Sequence, residues 1–488
     1  MIDLSKVNYN KVGFCRFKKF RASQQIGKNK YLLTNDVGDY IFLKDKEFND
    51  FLEGKLKTTS HTYKSLKEKN FVRDYLDFEG MIKKYRERNA FLWQGPGLHI
   101  IVVTLRCNHR CIYCQTSSRG IDEEGFDMDI STAQKVVDTI FASPNKHITI
   151  EFQGGEPLLN WKTVKFITDY ALKKSKKEKK DLLIALVSNF SLLNDNKLRE
   201  IIDKRVSLCT SLDGPEKIHN RNRIMIHDNS YKNVVKWIKK IHKIQQEHEK
   251  EEEVYRLNAL VTISKHSLSY PKGIIDEYIK QGFSEIHLRP LSNLGFSKTA
   301  KKKIGYTPEE FIKFYKKALD HIIQLNLKGK SFYERTARIF LAKILTDKDP
   351  NFLDLRSPCG AGIGQLVYNY DGKVYTCDEG RMVEGDEFMI GDVKKDNYEK
   401  IVGNKTVKAM CVASCLDGLS CDNCVYKPYC GVCPVGNYAQ YGSIFAQIPN
   451  SQRCKINKAI LDYLFEKLQD KKVEEIFKNW LKIRRKIY

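Results

Sequence analysis

The chain has 488 residues, 42% of them hydrophobic and 30% charged, which supports a large folded core and excludes a disordered segment. Its 84 basic against 60 acidic residues leave a net charge of +24, which raises nucleic acid or an anionic membrane as partners; the lysines are nevertheless spread along the whole chain, as on a solvated surface. No apolar run approaches the roughly 20 residues that span a bilayer, and residues 1–11 lack the apolar stretch of a signal peptide, so the sequence reads as a soluble, cytoplasmic protein of several domains.

Residues 1–95 read as a separate α+β module: strands at 31–34 and 40–43 joined by the turn Asn35-Asp36-Val37-Gly38-Asp39, then a helix at 46–56 and more helical sequence to about residue 88. Residues 98–104, Leu-His-Ile-Ile-Val-Val-Thr, form a nearly continuous apolar and β-branched run, as expected of a strand buried on both faces of a parallel sheet. Directly after it come Cys107, Cys111 and Cys114, spaced C-x3-C-x2-C. In a reducing cytosol clustered cysteines favour metal ligation over disulfides. Three thiolates on one loop can hold three irons of a cubane and leave the fourth without a protein ligand. A second short strand, 147–152, runs into Gly154-Gly155-Glu156-Pro157, where the glycines permit close approach of a ligand and Glu156 offers an acceptor for an amine.

The three cysteines, Tyr113 just before the last of them, and the Gly-Gly-Glu-Pro at 154–157 resemble the radical S-adenosylmethionine (SAM) enzymes. The resemblance implies a 4Fe-4S cluster whose open iron is chelated by the amino and carboxylate groups of SAM. It also implies one-electron cleavage of the sulfonium to a 5′-deoxyadenosyl radical, with the protein positioning the cofactor and excluding solvent.

Further along, strand-like segments at 182–188, 205–212, 257–264 and 285–290 alternate with helical ones, among them 161–174 and 233–250. Six β-α units over 96–330 predict an α/β fold with a partial (β/α)6 TIM-type barrel, whose chemistry sits at the C-terminal ends of its strands. The candidates there are Ser188, Asn189, Ser211, Asp213 and Arg289. By resemblance such groups contact the ribose and methionine parts of SAM, and Arg289 pairs with its carboxylate; a serine or asparagine after a strand also often only caps the next helix. The stretch 211–215 with His219 and Arg223 looks like one common in peptide-modifying members.

Thr307-Pro308-Glu309-Glu310 is a helix start, leading through helical segments at 311–327 and 334–345, with 331–350 as a connector, into residues 351–488. That region holds Cys359, Cys377, Cys421, Cys424, Cys430, Cys433 and Cys454, with Gly372 ahead of Cys377. Two C-x2-C pairs alone would suit a zinc knuckle. The whole pattern resembles the SPASM extension of radical SAM enzymes, which carries one or two auxiliary 4Fe-4S clusters. Carried over, Cys421, Cys424, Cys430 and Cys454 hold one cluster, and Cys359, Cys377 and Cys433 contribute to the other. The fourth position of the latter is open to substrate or filled by Cys411 or Cys415, which read equally well as buried small hydrophobes. Asp378 stands where some SPASM enzymes place a carboxylate that accepts a proton during substrate oxidation; the other reading is a carboxylate that supports the cluster loop.

Considered end to end, the chain resembles the His-Xaa-Ser system radical SAM maturase family, through residues 30–53, 98–115, 421–438 and Arg453-Cys454-Lys455. This implies a small precursor peptide with His-Xaa-Ser repeats as substrate, a sister radical SAM protein, and a reductant such as flavodoxin or ferredoxin. The N-terminal module then grips a leader peptide by strand addition, or serves as a plain docking domain. Two other readings remain open: a radical SAM enzyme acting on RNA, which would use the positive charge but finds no appended nucleic-acid module, and a non-enzymatic zinc protein, which leaves Gly-Gly-Glu-Pro and the barrel strands idle.

Overall fold

The computed structural model describes residues 4–21, 29–247 and 257–483. In the N-terminal module β1 (Arg16–Phe20), β2 (Lys30–Thr34) and β3 (Tyr40–Lys44) form an antiparallel sheet with β2 in the middle. The sequence reading found β2, β3 and their turn but not β1, whose Arg-Phe-Lys-Lys-Phe looks like a solvated segment. Its cations are instead used in packing: Arg16 pairs with Asp36 at 2.8 Å and with Asp422 at 3.1 Å, and Lys18 pairs with Asp462. The helix Asp45–Leu52 buries Phe48, Phe51 and Leu52 against one face, where Tyr31 stacks on Phe48. The other side of the module is bonded to residues 425–429. Thr34 donates to the Val425 carbonyl at 2.8 Å, Arg88 to the Pro428 carbonyl at 3.1 Å, and Tyr429 to the Gly38 carbonyl at 3.0 Å.

The remaining strands are β4 (Leu98–Thr104), β5 (His109–Cys111), β6 (His147–Gly154), β7 (Asp181–Val187), β8 (Ser207–Ser211), β9 (Arg223–Met225), β10 (Leu257–Thr262), β11 (Glu285–Ile286), β12 (Leu288–Arg289), β13 (Tyr333–Glu334), β14 (Gln365–Tyr368), β15 (Lys373–Tyr375) and β16 (Met389–Asp392). Six of them, β4, β6, β7, β8, β10 and β12, lie parallel and side by side in chain order, with helices between them. This is the α/β partial barrel the alternating pattern predicts. Apolar residues on the helices, such as Val136 and Ile140, Val164 and Ile167, and Val234 and Ile238, join the outward-facing strand residues in one core.

Three features differ from the sequence reading. The sixth strand is split: β12 pairs with β10, whereas β11 pairs with β13. The buried Glu334 carboxylate accepts from the Leu288 amide at 3.1 Å and the Ala337 amide at 2.7 Å, and so fixes the break at His287. The helix expected at 233–250 begins at Ser230 and is described to Glu247; its expected end lies outside the described residues. The sheet also continues beyond β4: β14 pairs with it in parallel, and β15 and β16 follow antiparallel, so the cysteine-rich region is built onto the barrel's first strand.

The helix Pro308–Leu327 carries the expected capping box, with the Glu310 amide donating to Thr307 Oγ1 at 3.2 Å and the Thr307 amide to Glu310 Oε2 at 2.8 Å. Among the described residues no helix is long and apolar enough to cross a membrane.

Candidate active site

The loop after β4 carries Cys107, Cys111 and Cys114 at the C-terminal mouth of the barrel. It is clamped by β6. The Gly155 amide donates to the Thr104 carbonyl at 2.9 Å and the Glu156 amide to the Arg106 carbonyl at 2.8 Å. Gly154 has φ 138, and a Cβ there would stand 2.1 Å from the Thr104 oxygen; one at Gly155 would stand 2.2 Å from the Arg106 oxygen. The close approach that the two glycines permit is therefore to the cysteine loop itself.

The Glu156 carboxylate is fully buried and already accepts from Ser188 Oγ at 2.7 Å, the Asn189 amide at 2.8 Å and the Leu158 amide at 3.1 Å. Burial pushes its pKa up and these donors pull it back. In this arrangement Glu156 ties the end of β6 to the end of β7. Asn189 reaches on to the loop, its Nδ2 donating to Asn108 Oδ1 and His109 Nδ1, each at 3.0 Å. With Nδ1 accepting, His109 Nε2 donates to Ser230 Oγ at 2.9 Å, and burial lowers the His109 pKa to about 4, which keeps the ring neutral.

Asp213, after β8, anchors the other side of the loop. It accepts from Tyr113 Oη, from Asn222 Nδ2 at 3.1 Å and from Arg223 Nε at 3.4 Å, while Arg223 Nη1 points at Cys111 Sγ at 3.7 Å. Burial opposes the charge on Arg223, but Tyr113, Asp213 and Cys111 outweigh it and hold the guanidinium protonated. Tyr113, expected as a cofactor contact, is thus engaged with protein.

The three thiols have the surroundings of thiolate ligands. The His109 amide donates to Cys107 Sγ at 3.4 Å. Burial raises the Cys111 pKa to about 11 against the pull of Arg223. Burial alone would raise that of Cys114 too, but the hydroxyls of Ser118 and Thr116 hold it below the usual thiol value. Thiols held this way ionise on binding a metal, and amide, hydroxyl and guanidinium donors suit a sulfide-rich anionic cluster. The site therefore fits the cluster that the sequence resemblance implies.

The C-terminal cysteines separate into two groups. Cys359, Cys377 and Cys433 share a buried cluster with Phe388, Met410 and Val435. Burial raises all three, and each is raised further by charged neighbours, Cys433 among those of the other two. The Gly380 amide donates to Cys377 Sγ at 3.2 Å and the Gly436 amide to Cys433 Sγ at 3.3 Å. Arg453 Nε and Arg356 Nη2 are buried without a hydrogen-bond partner, and both guanidiniums face this group electrostatically. Orphaned cationic donors around three buried thiols fit an acceptor-rich, negatively charged cluster. Cys421, Cys424, Cys430 and Cys454 form the second group, in which burial and the neighbouring thiols raise Cys421 to about 12 and Cys454 to about 11.

Cys411, on the helix Lys405–Ser414, and Cys415, its C-cap, are partly buried, and Arg356 acts electrostatically on both Cys359 and Cys411. Among the described residues no three His, Cys, Asp or Glu side chains converge to hold a single ion. Such convergence is a demand of one zinc with thiolates at about 2.3 Å, whereas a cubane takes each thiolate on a different iron.

The C-terminal thiols are linked to the barrel strands through Asp378, which stands next to Cys377 and acts electrostatically with Glu151 and Arg289. Glu151, Cys209 and His287 are each partly buried and all lie within electrostatic reach of Arg289 and Arg335. Ser211 and Arg289 end two of the barrel strands. Asp378 is buried beside Cys377; burial pushes its pKa up and Arg381, at 3.5 Å, and Arg289 pull it back. Sequence reasoning missed Glu151, Cys209, His287 and Arg335. A carboxylate in the middle of the apolar run 148–152 was the available signal.

The family model of the Radical SAM superfamily matches residues 101–254. The chain is 22% identical over 333 residues to a cysteine-type anaerobic sulfatase-maturating enzyme of Clostridium novyi, covering 66% of this chain and 83% of the relative. It is 24% identical over 463 residues to the radical SAM cyclopropyl synthase TigE of Paramaledivibacter caminithermalis, covering 90% and 87%. Among solved structures, native anSMEcpe with bound AdoMet superposes with a TM-score of 0.63 at 18% identity, over 79% of this chain and all (100%) of that one. Streptococcus suis SuiB bound to the precursor peptide SuiA gives 0.52 at 13% identity, over 85% and 94%.

Proposed function

We propose that this chain, which carries a radical SAM domain, is a maturase that oxidatively modifies or cross-links a small ribosomally made peptide. The observation that carries the reading is a loop of three part-buried thiols directly after β4, together with a second set of buried thiols beside which Arg356 Nη2 and Arg453 Nε lack hydrogen-bond partners. Cys107, Cys111 and Cys114 would hold the 4Fe-4S cluster, and the C-terminal groups one or two auxiliary clusters. With SAM bound, the first cluster supplies reductive cleavage to a 5′-deoxyadenosyl radical.

The chain's own residues do the rest. Arg223 keeps a positive charge beside the sulfur of Cys111, and Glu156 with Ser188 and Asn189 holds the strand ends against which SAM would lie. Gly154, Gly155, Tyr113 and Ser211 shape that surface, and Arg289 takes the SAM carboxylate. Asp378, next to Cys377, is the proposed acceptor of the substrate proton. The His-Xaa-Ser maturase resemblance names the substrate as a peptide with such repeats, the partners as a sister radical SAM protein and a flavodoxin or ferredoxin, and the compartment as the cytoplasm. Relatives of similar fold whose names refer to sulfatase maturation and to a precursor peptide support a polypeptide substrate.

The test is anaerobic coexpression with the small reading frames encoded nearby, followed by mass spectrometry. A peptide lighter by two hydrogens is expected. Unchanged peptides beside an enzyme that cleaves SAM would contradict the substrate class.

A further inference from the structure

Two guanidiniums have nothing to hold. Arg289 ends β12 and Arg335 opens the helix Arg335–Leu345; both are half-buried, and among the described residues neither side chain makes a hydrogen bond or an ion pair. Both act electrostatically on the same buried groups, Glu151, Cys209 and His287. The Arg335 guanidinium lies 5.8 Å from the centre of the Phe352 ring, which meets His287 edge-on at 6.1 Å. Arg335 therefore stands beside Phe352, a residue of the segment that runs on to Cys359.

Two half-buried guanidiniums with unpaired donors, both acting on the same buried groups, mark a place for anions. Glu151 does not satisfy them: its Oε1 accepts from Gln153 Nε2 at 2.5 Å, and it reaches neither arginine. SAM brings one carboxylate, which the reading above gives to Arg289. The cations facing Cys359 and Cys433 are Arg356 and Arg453. Arg335 is left over, with the planar fork that binds a carboxylate through two parallel hydrogen bonds.

We infer that Arg335 binds a carboxylate of the peptide substrate, either an acidic side chain or the chain terminus, and so seats the peptide between the SAM site and the C-terminal thiols. The inference rests on the peptide-maturase reading and names its substrate contact.

The test is equilibrium dialysis of the anaerobically reconstituted enzyme with SAM present against three probes: N-acetylglutamate amide, with a side-chain carboxylate; N-acetylglutamine, with a terminal one; and N-acetylglutamine amide, with none. At least one acid is expected to bind about ten-fold more tightly than the neutral probe. R335Q should remove the difference and R335K should keep part of it, while iron content and circular dichroism show each variant loaded and folded; R289Q should instead weaken SAM retention. The acid preferred identifies the source of the carboxylate. Equal binding of all three probes to the unaltered enzyme, or an acid preference that survives R335Q, overturns the inference. Failure of the maturase reading looks different, since it appears as an absence of SAM cleavage in the unaltered chain, measured separately.

Discussion

Replacing Cys107, Cys111 and Cys114 together with alanine is expected to abolish reductive cleavage of SAM to 5′-deoxyadenosine while the chain keeps its fold and its C-terminal clusters. The physical ground is that the loop is held from outside the thiols. Gly155 and Glu156 bond its start, Asn189 reaches Asn108 and His109, and the Cys114 carbonyl accepts from the Phe296 amide at 2.9 Å. Removing three sulfurs removes ligands without removing these bonds. Iron should fall by about four per chain and leave about four or about eight with their sulfide, the content of one or two cubanes. SAM cleavage retained in the triple variant would refute the assignment; loss of all the iron would show that the C-terminal thiols do not hold clusters independently.

The second large effect is expected at a residue with no chemistry of its own. In Gly155→Ala the new Cβ meets the Arg106 carbonyl oxygen at 2.2 Å and the Leu105 oxygen at 2.6 Å, both backbone atoms of the cysteine loop that cannot rotate away. The loop or β6 must shift, with a cost of about 3 kcal/mol or more and loss of iron at this site before any at the C-terminal groups. Gly418→Ala is the control: nothing lies within 4 Å of its added Cβ, so its stability should change by only a few tenths of a kcal/mol. Thermal unfolding and iron analysis of the two variants check the contrast, and equal melting temperatures would contradict the clamp.

Much of this was legible in the chain because it is local. A β-branched run buried on both faces, a cysteine spacing and a Gly-Gly pair each declare themselves within a few residues, and so β4, β6 and the barrel order follow from pattern. The missing parts are non-local. β14 pairs with β4 across most of the chain, and no periodicity within residues 365–368 says so. β1 was hidden because its cations find carboxylates far along the sequence, at Asp422 and Asp462. The sixth strand breaks because Glu334, on another element, captures the Leu288 amide.

At the site, the strand ends follow from pattern, but what the side chains there touch does not. Glu156 also accepts from Ser188 and Asn189, and the Tyr113 hydroxyl donates to Asp213, contacts that no spacing in the sequence announces. The two thiol groups at the C-terminus interleave in sequence; the resemblance puts Cys430 and Cys433 in different groups, and packing gives them different neighbours. Arg289 and Arg335 carry no motif; their meaning lies in having no partner.

The central claim is that three cysteines leave one iron free to grasp SAM. Electron-nuclear double resonance on the reduced, anaerobically purified enzyme, with SAM isotopically labelled at its amino nitrogen and its carboxylate, tests it most directly. Coupling of both labels to the spin of a cluster that is absent from the triple alanine variant is the predicted result. A cluster signal with no coupling to either label, or no such cluster at all, would contradict the account.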